Sequence, residues 1–97
     1  MTSFGFHPAA RLEIIEAITW YEQQQTGLGQ RFERALERTL AAIEASPRAA
    51  SPVHGPFRRR LIDRFPYLII YRVEDDRIYV LSCFHGHRDP KVWKDRL

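Results

Sequence analysis

Residues 57–85 read FRRRLIDRFPYLIIYRVEDDRIYVLSCFH, and this stretch decides the fold. Tyr67–Val73 and Arg77–His85 are dense in aromatic and β-branched side chains, which pack well on a pleated surface. Glu74-Asp75-Asp76 between them is a tight polar turn, so the two segments predict an antiparallel hairpin. Phe57–Ile62 predicts a further strand, ended by the break at Phe65-Pro66, where proline withholds a ladder donor.

Upstream, Pro47, Pro52, Gly55 and Pro56 forbid helix, and Ser46–Pro56 reads as a loop. Before that loop the apolar period changes. Leu28, Phe32, Leu36, Leu40 and Ile43 recur every three or four residues, and Ala10, Ile14, Ala17, Ile18 and Tyr21 do the same in the segment opened by Pro8. These are two amphipathic helices, divided at Thr26-Gly27 because glycine accepts the left-handed backbone of a helix end. So short a connection makes them an antiparallel hairpin. Phe4–His7 reads as an opening strand, while Asp89-Pro90 predicts a helical turn over Lys91–Arg96 that returns Trp93 to the body. The expected fold is α+β, in the order β-α-α-β-β-β, with the helical hairpin on one face of a largely antiparallel sheet. The opposite face is expected to be open.

Composition agrees with a single domain over residues 1–97: 44% of side chains are hydrophobic and 28% charged. Neither strand-forming run approaches the roughly 20 apolar residues that span a bilayer. A lone cysteine, Cys83, leaves no disulfide framework, and no run resembles a signal peptide, so the expected compartment is the reducing cytoplasm. Charge is uneven. Residues 1–46 carry four arginines against six glutamates, a balance of −2, whereas residues 47–97 carry eleven basic side chains against six acidic ones, a balance of +5. A basic half meets phosphate, an acidic partner or only water.

Arg58, Arg59 and Arg60 lie consecutively in a strand, so Arg58 and Arg60 share one face and Arg59 takes the other. With Arg64 and Arg72 they form either a phosphate-binding surface or a charged strand edge that resists aggregation. His85-Gly86-His87-Arg88-Asp89 follows a strand end, where side chains leave the sheet. No cysteine pair or carboxylate–histidine spacing completes a metal set there, and neither metal nor cofactor is expected. His85 with Arg88 and Arg58 or Arg60 has the residue types for metal-free RNA cleavage, which needs a base, an acid and cations for the phosphorane. The alternative is a purely structural turn, with His85 packed under Trp93. Tyr67 and Tyr71 share a face, and simple alternation sets Cys83 beside Tyr79 and Leu81 as a small buried hydrophobe.

Phe6-His7-Pro8-Ala9-Ala10, Glu16-Ala17-Ile18, Trp20-Tyr21-Glu22 and Gly27-Leu28-Gly29 with Phe32 resemble the N-terminal half of RelE/ParE-superfamily toxins, especially the ParE-like branch. Arg64-Phe65-Pro66-Tyr67, Ile70-Tyr71-Arg72-Val73, His85, Arg88-Asp89-Pro90 and Trp93 resemble their strand and C-terminal signatures. The resemblance covers nearly the whole chain. It implies a type II toxin–antitoxin toxin, bound in a hetero-oligomer by a cognate antitoxin whose disordered segment folds over it. Two activities divide the superfamily: ParE-like toxins poison DNA gyrase, and RelE-like toxins cleave messenger RNA on the ribosome without a metal. The ribonuclease branch carries lysines and arginines on its sheet, whereas here Lys91 and Lys94 both lie in the terminal turn. Arginine stabilises phosphoryl charge but moves protons poorly, which favours the gyrase branch. Arg58, Arg59, Arg60, Arg64, Arg72, Arg88 and Trp93 are the expected contacts to target or phosphate; the antitoxin's contacts are not legible.

Overall fold

The computed structural model describes residues 3–97. β1 (Ser3–Phe6) leads into α1 (Pro8–Gln24), capped by His7, whose Nδ1 accepts from the Ala9 N–H at 3.0 Å. α2 (Leu28–Ala45) follows after three residues. Gly27 makes the turn at φ +89°, and the Glu22 carboxylate accepts from the Gly27 and Gly29 N–H groups, placing an anion at the positive end of α2. Then come β2 (Pro52–His54), β3 (Phe57–Leu61), β4 (Tyr67–Glu74), β5 (Arg77–His85) and the short α3 (Lys91–Lys94).

The sheet runs β1-β5-β4-β3-β2, antiparallel except for the β1–β5 pair. β2 lies inside the expected loop. Its three residues include a proline, too short a run to show periodicity, and pairing with β3 makes it a strand. Across the β4–β5 ladder Ile70 faces Ser82 while Tyr71 faces Val80, so Leu81 is an extra residue on β5.

That bulge reverses the phase of β5. Ile78 and Val80 face the helices before it, Cys83 faces them after it, and Tyr79 and Leu81 face away. Cys83 therefore sits on the opposite face from the one simple alternation assigns. The main core lies between the hairpin and the sheet, with Phe32, Ala35, Ile43, Ile69, Tyr71 and Ile78 fully buried. The other face, expected to be open, is covered over part of its area, while Leu61 on that face stays 61% exposed. Trp93 folds back from α3 and closes a second cluster with Phe57, Ile70, Leu81 and Phe84.

Candidate functional site

β1 leaves the sheet at Phe6, opposite Val80, so the C-terminal end of β5 has no strand beyond it and faces α1 across a gap. The gap is a slot of about 500 Å³, with apolar walls from Ala17, Trp20, Tyr21, Tyr67 and Phe84. Glu16, His85 and Arg88 stand at its polar margin.

Glu13, which lines the slot, and Arg96, which holds it in place, are two residues that the sequence did not single out. Glu13 of α1 and Arg96 form a twofold ion pair, with Nη1–Oε1 at 2.7 Å and Nη2–Oε2 at 3.0 Å. Both groups also satisfy the bulge: Glu13 accepts from the Cys83 N–H and Ser82 Oγ–H, and Arg96 donates to the Leu81 C=O. Glu13, Glu16, Ala17 and Trp20 follow helical spacing beside the core stripe of α1, the one sequence signal that could have marked this wall.

His85 stacks edge-on against Tyr67, with ring centroids 5.4 Å apart. Its Nδ1 accepts from the His87 N–H at 3.1 Å. The neutral ring then carries its proton on Nε2 and offers a donor there. Burial and the nearby Tyr21 push the Tyr67 phenol up, partly countered by Arg88.

The sequence-predicted cations are dispersed. Arg88 shares the slot with His85. Arg58 donates to the carbonyls of Ala50 and Arg48 at 2.6 and 3.2 Å, which with the Tyr71 Oη–H···O=C Pro47 bond ties down the segment before β2. Arg60 shares the Tyr71 face of β3 with Arg58, and both lower the Tyr71 phenol's pKa against the larger upward effect of burial. Arg59 lies on the opposite face, beside Trp93 and Lys94. Arg72 lies across the Phe57 and Tyr79 rings and pairs with Glu74 at 3.4 Å. Arg64 stands exposed in the β3–β4 turn. Trp93, at 3% exposure, is core and has little ring left to meet a target. It packs on Phe84, while His85 lies on the other face of the sheet, so His85 is not beneath Trp93. Among the described residues no three His, Cys, Asp or Glu side chains converge to hold a metal ion.

The family described as the ParE toxin of the type II toxin–antitoxin system parDE matches residues 5–90. The chain belongs to the ParE toxin family. It is 22% identical over 87 residues to Toxin ParE2 of Mycobacterium tuberculosis, covering 89% of this chain and 83% of that protein. Two solved structures show the same fold. The chromosomal ParDE system of P. aeruginosa aligns with TM-score 0.63 at 18% identity, over 88% of this chain and 96% of that one. The isolated E. coli RelE toxin aligns with TM-score 0.61 at 16% identity over the whole of both chains. This ParE-family chain is thus a toxin of a type II system on the RelE/ParE fold, and α3 with Arg96 lies beyond the matched span.

Proposed function

We propose that this ParE-family toxin acts by capturing a protein target, DNA gyrase, and that a cognate antitoxin neutralises it in a hetero-oligomer. The observation that carries the reading is the condition of His85. Metal-free RNA cleavage needs a lone pair to take the 2′-hydroxyl proton, a donor for the leaving 5′-oxygen, and cations around the phosphorane. The His87 N–H occupies the Nδ1 lone pair of His85, leaving Nε2 as a donor. Arg58 and Arg72 are engaged with backbone carbonyls and with aromatic rings, and Arg59 is on the far face. Only Arg88 among the candidate arginines lines the slot with His85. A protein-binding toxin needs none of the missing parts.

One observation favours ribosome-dependent endonuclease action as a second reading: His85, Tyr67 and Arg88 line one slot. Two assays run side by side separate the readings. In a DNA supercoiling reaction the purified toxin is expected to inhibit gyrase, and in a translating extract it is expected to leave messenger RNA intact. Cleavage in the extract that disappears in a folded His85→Ala variant, with gyrase unaffected, would overturn the proposal.

A further inference from the structure

The face of the sheet turned away from the helical hairpin keeps a recess of about 260 Å³ beside α3. Its floor is apolar, from Val53, Leu68, Ile70 and Phe84, and its rim carries Arg59 of β3 and Lys94 of α3 with no acidic side chain. Phe57, Arg59 and Leu61 alternate onto this face. Leu61 stands opposite Leu68 in the ladder, so its exposed side chain continues the apolar floor as a shelf. Neither rim cation makes an ion pair among the described residues, and Lys94 only overhangs the Trp93 ring, 5.8 Å from its centroid. The wall holds one more unanswered group. Trp93 Nε1 is buried without a hydrogen-bond acceptor, whereas a buried indole N–H ordinarily has one. Two cations and an unpartnered donor around an apolar hollow are complementary to a carboxylate carried on an apolar chain. They match nucleic acid poorly, because Phe84 and Trp93 are buried and neither leaves a ring face in the recess on which a base could stack.

Resting on the reading that this toxin captures gyrase, we infer that this recess is the part of the toxin that grips the target, and that it takes an acidic side chain flanked by apolar ones from the gyrase surface. The carboxylate lies between Arg59 and Lys94 and gives the Trp93 indole its missing acceptor. One apolar neighbour enters the hollow over Leu68 and Phe84, and another packs on Leu61. Removing the floor from water supplies affinity, while the two cations orient the acid and speed the encounter.

The test uses the full chain and purified gyrase, with binding and inhibition of supercoiling both measured. Arg59 and Lys94 are exposed, and Arg59→Glu and Lys94→Glu, checked for folding by near-ultraviolet dichroism, are each expected to weaken binding and inhibition about tenfold. Arg38→Glu, an equal change of charge on the exposed side of α2 across the sheet, is expected to change either less than about twofold. Lysine acylation gives a readout that needs no variant. Lys94 is expected to become protected in the gyrase complex, while Lys91, paired with Asp95 and outside the recess, keeps the reactivity it has in the free toxin. Undiminished inhibition by both rim variants with Lys94 still reactive would overturn the site and leave the gyrase reading standing. Equal losses in Arg38→Glu would also overturn it, by showing attraction to net charge alone. So would a single-stranded RNA that protects Lys94 and binds through Arg59 while gyrase ignores both rim variants, since the recess would then serve nucleic acid. If the wild-type toxin neither binds nor inhibits gyrase, the gyrase reading falls and this assignment falls with it.

Discussion

Cys83 lies fully buried on the helix side of β5, and desolvation, reinforced by the Glu13 carboxylate, pushes its thiol up to about 12 from the ordinary value of 9.0. The folded state therefore keeps its proton where the unfolded chain loses it. That preference stabilises the fold fully below pH 9.0 and is lost as pH rises toward about 12. Chemical unfolding at stepped pH is expected to show a smaller alkaline loss of stability in Cys83→Ala than in the wild type. Gly29 is constrained by contact. A Cβ there would come within 2.7 Å of the Ile18 carbonyl oxygen and 3.0 Å of the Glu22 Cβ. Gly29→Ala is expected to cost about 1–3 kcal/mol in a urea titration, by forcing the two helices apart. Gly27 has open space but φ +89°, so Gly27→Ala is expected to cost about 1 kcal/mol through backbone strain alone. The sequence shows Gly27 as a helix stop, whereas the crowding at Gly29 depends on how closely the second helix crosses the first.

At the scale of elements, the bulge in β5 determines what the end of the sheet can do. It turns Cys83 toward the helices and strands backbone groups that the ladder cannot satisfy, and the Glu13–Arg96 pair takes them up. Both side chains are largely buried, so removing one member leaves a charge with poor hydration. Arg96→Ala is expected to cost about 2–3 kcal/mol by denaturant unfolding. The double variant Glu13→Gln with Arg96→Met is expected to cost less than the sum of its singles, because the stranded charge is gone. None of this was legible in advance. Alternation along Arg77–His85 looks regular in the sequence, and the two residues that make the bulge tolerable lie 83 positions apart. The helical hairpin and the β4–β5 hairpin were legible because each is specified by local period and turn chemistry.

In the whole molecule the sheet is covered by the helical hairpin on one face and, over part of its area, by Trp93 of α3 on the other. Trp93 returning to the body was readable from Asp89-Pro90, whereas how much of the second face one ring and a three-residue strand would cover was not. Trp93→Ala is expected to cost about 3–5 kcal/mol. That is a large share of the stability of a domain this small, and a thermal melt should show it as a sharply lowered Tm. The candidate site was half legible for a related reason. His85 and Arg88 are neighbours in the chain and stay together, whereas the arginines of β3 and β4 divide between two faces and several structural contacts. Induction of the toxin in cells tests the proposed capture of gyrase against RNA cleavage most directly, with plasmid topology and ribosome-bound messenger RNA read from the same culture. Loss of negative supercoiling with uncut messages is the predicted result; cut messages with unchanged plasmid topology would contradict it.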